Sequence, residues 1–269
     1  MTLAATIEDE WEIAVKEQWR ANQASVRESV IYEHGIVRYE QKISNFVELG
    51  PAPWSVVAQH NVYLAESRSA FISMSYYPAL LGACGLGERI LNQLVLSLRD
   101  DYIDHDATRL VKAKQSFDNW EVCIKALRGW GTITDQIARD FRSLKRRRHD
   151  AVHYRPEMDS GDARGAALNA LILIGGIVDA LFSPIGPRAH YFTGPIGRSY
   201  VRRDMEEDPF VRKFILPACV LVSPVYRFVA AAGDFDIYDD ADYGVGTVPL
   251  TDEEYAEPAR AVPQVAYPF

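Results

Sequence analysis

One long apolar stretch, at residues 166–182, restricts the fold more than any other feature of the sequence. It is slightly shorter than a membrane-spanning helix requires, and Asn169 and Asp179 interrupt it. A helix buried in a protein core accounts for it better, with Asp162 as the N-terminal cap. Since 48% of all residues are apolar and 25% are charged, as in soluble globular proteins, a sizeable core is available to surround such a helix.

Six further segments have the three- and four-residue apolar spacing of amphipathic helices. They lie at residues 7–30, 36–49, 54–74, 79–99, 116–127 and 132–154. Glycines and prolines mark the predicted boundaries between them, namely Gly50, Pro51, Pro78, Gly129, Gly131 and Pro156. We predict Ser116 or Asp118 as the N-cap of the fifth segment and Thr132, followed by Asp135, as the N-cap of the sixth.

The composition changes after Pro184, where glycine and proline become frequent. Residues 213–229 are apolar and β-branched, a pattern that fits either strands or one short helix. Residues 234–257 hold nine acids and no lysine or arginine, which predicts an irregular tail, either solvated or folded onto a basic surface. The fold class is therefore predicted as mainly α, with N-terminal helices at 1–52, a helical bundle at 53–184, and a mixed or irregular C-terminal extension at 185–269.

Charge and cysteine content favour a cytoplasmic protein with an anionic partner. The net charge of −8 is concentrated in the acidic tail, whereas residues 139–155 hold seven bases and two acids. Such a local excess attracts a polyanion whatever the net charge. The first residues are acidic where a secretory signal would be basic, which favours the cytoplasm. Three scattered cysteines (Cys84, Cys123 and Cys219) suggest neither a disulfide framework nor a cysteine zinc site.

Arg148, His149 and His153 form the motif with the clearest chemistry. The two histidines are four residues apart, so they project from one side of a helix. Arg148 lies roughly 140° around that helix from His153, at 3.6 residues per turn. Five basic residues surround the motif and are predicted to bind RNA, namely Arg142, Lys145, Arg146, Arg147 and Arg155.

These residue types meet the requirements of RNA cleavage. In RNA the 2′-hydroxyl lies next to its own phosphate and is the built-in nucleophile. Histidine titrates near neutral pH, so it can take the proton of that hydroxyl or protonate the leaving 5′-oxygen. Arginine stays charged and offers a planar fork of donors to the phosphate oxygens. The predicted reaction requires no metal and no cofactor.

Other interpretations of the polar and aromatic residues remain open. A basic helix face is often solvated surface, and two histidines four apart can bind zinc, although no third ligand follows them. The acidic residues at 100–106 fit a polar turn between helices better than a metal loop. The glycines at 82–87 indicate close helix packing rather than a phosphate loop, and Trp120 and Trp130 indicate core positions rather than base stacking.

The motif resembles that of the HEPN family, in which an arginine, a polar residue, three further residues and a histidine stand near the end of a long helix. An earlier helix that carries an acid and a later apolar helix also match that family. The resemblance covers residues 79–182 and extends at most to 54–77. The matching residues are Arg148, His149 and His153 in the motif, Phe141 and Leu144 in its apolar lead-in, and Glu88 on the earlier helix.

The resemblance implies a HEPN-like helical bundle, commonly a dimer that brings two motifs together, with ribonuclease activity in toxin–antitoxin or antiphage-defence systems. It implies Arg148 and His153 as catalytic residues, His149 as a residue that orients the phosphate or the other histidine, and Glu88 as a further candidate. The expected partners are RNA, a second copy of the chain through the motif helices, and an antitoxin or defence-system protein, with no membrane. Some members of the family have lost catalysis, so a scaffold that binds a protein, RNA or nucleotide is the alternative.

Overall fold

The computed structural model describes residues 2–113, 115–117, 119–153, 162–183, 205, 207–217, 226–229 and 234–237, the last two ranges by their backbone alone. The described part is mainly α, as predicted. Its α-helices are α1 (Ile13–His34), α2 (Tyr39–Leu49), α3 (Ala58–Ile72), α4 (Tyr76–Leu98), α5 (Trp120–Gly129), α6 (Asp135–Val152) and α7 (Ala163–Phe182). Two 3-10 helices (Thr2–Ala4 and Asp106–Leu110) and a π-helical turn (Val211–Ile215) accompany them.

The central helix of the bundle is α4, which contacts α3, α5, α6 and α7. Its buried side chains form one broad face, which covers roughly half of its circumference at 100° per residue. Two glycines permit the close approach of its neighbours: Gly82 lies against Ser67 of α3, and a Cβ atom at Gly87 would lie 2.5 Å from Leu144 Cδ2 of α6. The prediction that the glycines at 82–87 serve helix packing is therefore confirmed at Gly82 and Gly87.

The apolar stretch forms α7, which packs against α3, α4 and α6. The Asp162 carboxylate accepts a hydrogen bond of 2.8 Å from the Gly165 N–H, so the predicted N-cap is confirmed. By length and hydropathy, α7 is the one described helix that would also suit a membrane span. Half of its most apolar window is buried inside the bundle, however, which is compatible with the predicted core helix of a soluble protein.

The predicted N-cap of α5 is wrong. Neither Ser116 nor Asp118 begins the helix; Asn119 does, since its side chain accepts a hydrogen bond of 3.1 Å from the Glu121 N–H. Phe117, two residues before the cap, is held by α4, because the amide of Asn92 bonds both the N–H and the carbonyl of this buried residue. This tertiary contact delays the start of the helix.

The predicted N-cap of α6 is also wrong, by two residues. Thr134, not Thr132, precedes the helix, and its hydroxyl accepts a hydrogen bond of 3.3 Å from the Ile137 N–H. The N–H of Thr132 instead bonds the Leu127 carbonyl at the end of α5, because Gly131 adopts a left-handed conformation with φ of 75° and turns the chain back. Thr132 therefore closes α5 rather than opening α6.

Between α4 and α5 the chain forms the predicted polar turn, which leads into the 3-10 helix Asp106–Leu110. Trp130 stacks on Tyr102 with ring centroids 5.0 Å apart, and its indole N–H donates a hydrogen bond of 3.0 Å to the Thr108 hydroxyl. Trp120 is almost wholly buried. Both tryptophans are therefore core residues, as predicted.

The described pieces of the C-terminal extension combine helix and strand. Phe210 and Phe214, at the π-helical turn, lie 5.7 and 5.9 Å from the Phe182 ring of α7. Strands β1 (Tyr226–Val229) and β2 (Asp234–Ile237) pair antiparallel. Residues 213–229 thus contain the end of a helical turn and one strand, and residues 218–225 lie outside the described residues. The expectation of an irregular tail from residue 234 is wrong for β2, and the rest of that tail lies outside the described residues.

The N-terminal helices join the bundle through a polar contact as well as apolar packing. The amide of Asn45 in α2 is fully buried; it donates to the Phe71 carbonyl at 3.0 Å and accepts from Arg164 Nε at 2.9 Å. Arg164, in the first turn of α7, also pairs with Glu48 at 2.7 Å. One hydrophobic cluster contains residues of all three predicted regions. The division at residues 52 and 184 stays a prediction.

His60 is buried at the start of α3 and has a hydrogen-bond partner at each ring nitrogen. The Ser55 hydroxyl lies 3.1 Å from Nδ1, and the Gln93 amide oxygen lies 3.1 Å from Nε2. An amide oxygen only accepts, so Nε2 carries the proton and Nδ1 accepts from the hydroxyl of Ser55. The neutral ring is therefore satisfied, and burial lowers the pKa of His60 below its usual value.

We expect the free energy of unfolding to decrease as the pH falls below about 6.5. Burial also lowers the pKa of His34, so the unfolded chain binds more protons at His34 and His60 than the folded chain does. The two histidines contribute fully to the free energy of unfolding above the pKa that they have in the unfolded chain, and this contribution is lost as the pH falls toward their lower pKa in the folded chain. The slope is at most about 1.4 kcal/mol per pH unit for each histidine. Urea unfolding between pH 7 and 5.5, roughly above the carboxylate range, measures this slope. A double variant with His34→Gln and His60→Gln should flatten it, and an unchanged slope would contradict the assignment.

Candidate nucleic-acid interface

The candidate interface is on α6, whose buried side chains all lie in its first ten residues. Ile137, Phe141 and Leu144 face the core at the spacing of one helix face. The next position on that face, four residues after Leu144, is Arg148, and Ala151 follows, packed in part against the core. An arginine therefore occupies a position where the helical period favours an apolar side chain.

Arg148 is held in place by Glu88 of α4. The Arg148 Nε atom lies 3.0 Å from Glu88 Oε2, and the two side chains are 38% and 28% exposed. The ion pair is thus at the margin of the bundle, shielded on one side and open to solvent on the other. Glu88 was predicted as a weaker catalytic candidate. Its observed contact is with the motif arginine, which fits an orienting role.

Cys84 lies one turn before Glu88 on α4 and is buried beside Leu144 of α6. Its thiol is 3.8 Å from the Leu144 carbonyl. Burial raises the pKa of Cys84 to about 12, although the positive charges of Arg148 and Arg147 act in the opposite direction. The residue therefore remains a protonated thiol at neutral pH and is not a nucleophile.

The two motif histidines lie together at the C-terminal end of α6. Their ring centroids are 4.5 Å apart, with an interplanar angle of 50°, and both residues are exposed. His153 follows the last helical residue, and its N–H donates to the His149 carbonyl at 3.1 Å. The structure thus brings His149 to His153 and Arg148 to Glu88. Within the described residues, no hydrogen bond or ion pair joins Arg148 to either imidazole.

The predicted RNA-binding residues have different environments. Arg142 forms a two-pronged ion pair with Glu121 of α5, at 3.0 and 2.7 Å, and the hydrogen bond from Arg142 lowers the pKa of Glu121. Arg146 is exposed and donates to the Ser143 hydroxyl at 3.0 Å. Lys145 and Arg147 are partly buried, and no described acceptor bonds the buried Nε of Arg147. Arg155 lies outside the described residues.

Glu121 is the residue that sequence reasoning missed at this surface. Its carboxylate binds Arg142 and thereby fixes the middle of α6 against α5. Its position in the first turn of α5 is where helices favour an acid, so local sequence gives it an ordinary explanation. Glu121 and Arg142 are 21 residues apart in the chain, so local sequence patterns do not predict their ion pair.

No metal cluster is present among the described side chains. In those parts of the chain, no three His, Cys, Asp or Glu residues are grouped closely enough to hold an ion. The zinc interpretation of His149 and His153 would need a third ligand, and the described residues do not supply one.

Comparisons with known proteins give no relationship for this chain. It matches no protein-family model, and neither the curated proteins nor the solved structures with which it was compared gave a match. The HEPN resemblance therefore depends on the motif and its helical context, and it stays a prediction.

Proposed function

We propose that this protein is a metal-independent endoribonuclease that acts as a homodimer through its α6 helices. The observation that carries the proposal is the placement of Arg148. It occupies a core-facing position of α6, is oriented by Glu88 at 3.0 Å, and lies in the same last turns as two exposed, adjacent imidazoles. An ion pair at a position suited to an apolar side chain is more characteristic of a functional site than of a stabilising one.

The proposed reaction uses these side chains directly. One imidazole removes the proton of a ribose 2′-hydroxyl, whose oxygen then bonds to the adjacent phosphorus. The bond from phosphorus to the 5′-oxygen breaks, and a protonated imidazole supplies the proton for that leaving oxygen. Arg148 donates hydrogen bonds to the phosphate oxygens as they gain negative charge. The products are a 2′,3′-cyclic phosphate and a 5′-hydroxyl.

The basic surroundings of the motif support an RNA substrate. Lys145, Arg146 and Arg147 lie on the turns before the histidines, and none of them is paired with a carboxylate among the described residues. When such cations contact phosphates, they displace counter-ions that are condensed on the RNA. The RNA affinity should therefore fall steeply as the salt concentration rises. A toxin or antiphage-defence role, with an antitoxin or other partner protein, follows from the HEPN resemblance and belongs to the same proposal.

The test uses a DNA oligonucleotide that contains one ribonucleotide, incubated with the full-length protein in a chelator. We expect cleavage after that ribonucleotide, with a cyclic phosphate and a 5′-hydroxyl at the new ends. The matched substrate carries a 2′-O-methyl group at the same position and should stay intact because it lacks the nucleophile. Salt-sensitive binding of RNA without any product would favour the non-catalytic scaffold instead, and cleavage of the methylated substrate would rule out 2′-hydroxyl attack.

A further inference from the structure

A cleft of about 690 Å³ lies between α1 and α3, and residues 50–54 and Phe46 of α2 complete its lining. Its volume is within the range of pockets that hold small molecules, about 300–1,000 Å³. Most of the lining side chains are apolar, including Val26, Val30, Phe46, Leu64, Ala65 and Ile72. None of the described residues that line the cleft belongs to α6.

Arg68 of α3 places a positive charge in this apolar lining. Its guanidinium donates to the carbonyls at the end of α2, to Leu49 at 3.4 Å and to Gly50 at 2.6 Å. Three of its five N–H donors have no acceptor among the described residues, and no described carboxylate pairs with it. The guanidinium is partly buried, and this burial lowers the pKa of Arg68. A partly buried cation without a counter-ion favours the binding of an anion.

The other polar groups of the cleft limit the charge of that anion. Glu33 stands at the rim with an exposed carboxylate. His34 is bonded through Nδ1 to the Ser73 hydroxyl at 2.9 Å, and burial lowers its pKa, so it is neutral at pH 7. Asn61 is already engaged, because its amide bonds both the N–H and the carbonyl of Ser55 at 2.8 Å. Among the described residues of the lining, Arg68 is the one cation and Glu33 the one carboxylate, so the cleft can compensate a ligand with a single negative charge. A phosphate dianion or a nucleotide would need further cations.

We propose that the cleft binds a small amphipathic monocarboxylate, whose carboxylate pairs with Arg68 and whose apolar body lies between α1 and α3. The planar guanidinium fork matches a carboxylate. Trp54 lines the cleft with a side chain that is 64% exposed, so it offers an aromatic face to a ring or an alkyl chain. Like most ligand pockets, the site combines a mainly apolar wall with one well-placed polar anchor.

The probe is 4-phenylbutyrate, titrated into the full-length protein by calorimetry at pH 7, with 4-phenylbutyramide as the neutral counterpart. We expect the acid to bind at least about tenfold more tightly than the amide, the factor that corresponds to one charge-assisted hydrogen bond. Arg68→Met should remove that preference. Arg109→Met is the matched control, since Arg109 is exposed on the 3-10 helix outside the cleft, and it should bind both probes as the wild type does.

Arg68→Met also removes two hydrogen bonds to the end of α2, so a second variant separates binding from folding. Ala65→Trp keeps Arg68 and fills the cleft from the α3 wall, because Ala65 is an exposed lining residue. It should abolish acid binding while the helical circular dichroism stays unchanged. The proposal is overturned if the wild type binds the acid no better than the amide, or if a folded Ala65→Trp variant binds the acid as tightly as the wild type.

Discussion

Alanine in place of Arg148 is expected to reduce the rate of RNA cleavage by about 10²–10³-fold, the usual effect of removing one donor to the transition-state charge. In the proposed mechanism Arg148 supplies the permanent positive charge, and Glu88, 3.0 Å away, holds its guanidinium in position. His153→Ala should reduce the rate by about 10²–10⁴-fold, because one proton-transfer group is lost. Single-turnover cleavage at saturating protein concentration, in a chelator, measures the chemical step apart from binding.

The control for these variants is Arg146→Ala, an exposed base on the same helix. It should weaken RNA binding and lower the salt dependence of affinity by about one phosphate contact, but leave the single-turnover rate near that of the wild type. Circular dichroism and the midpoint of thermal unfolding establish that each variant is folded. If Arg148→Ala and His153→Ala both cleave as fast as the wild type, the catalytic assignment is wrong.

Alanine at Gly87 should lower the free energy of unfolding, whereas alanine at Gly85 should raise it. A Cβ atom at Gly87 would lie 2.5 Å from Leu144 Cδ2 and 3.2 Å from the Trp120 ring, and both neighbours are buried. Overpacking of this kind costs about 1–3 kcal/mol, more than the roughly 0.5–1 kcal/mol that alanine gains over glycine in a helix. Gly85 has no atom within 4 Å of the same position, so the gain alone applies there.

Urea denaturation of the two variants and the wild type tests this prediction, because helix propensity contributes equally at both positions and cancels in the comparison. Leu144→Val in the Gly87→Ala background should recover part of the loss, since it removes the δ-methyl groups that clash. Equal shifts of the same sign for Gly85→Ala and Gly87→Ala would contradict the packing argument. The contact also concerns the candidate site, because Glu88 follows Gly87 and Arg148 lies one turn after Leu144.

Local sequence predicted the helices well, because apolar spacing and capping residues act within a few positions of one another. Residues 166–182 were predicted as a buried helix with Asp162 as its cap; α7 has that cap and ends at Phe182, and half of its most apolar window is buried. The N-caps of α5 and α6 were mispredicted because several polar residues compete at each start. The choice there depends on contacts with other helices, such as the bond between Asn92 and Phe117.

The sequence by itself determined that Arg148, His149 and His153 share the last turns of a basic helix, since spacing along a helix dictates which side chains are neighbours. Tertiary structure alone decided which partner each charge has. Glu88 meets Arg148 because Gly87 lets α4 approach Leu144 of α6, and Glu121 takes Arg142 out of the free basic surface. Ion pairs depend on distances of a few ångströms between separate helices, and only the packing of the core fixes those distances.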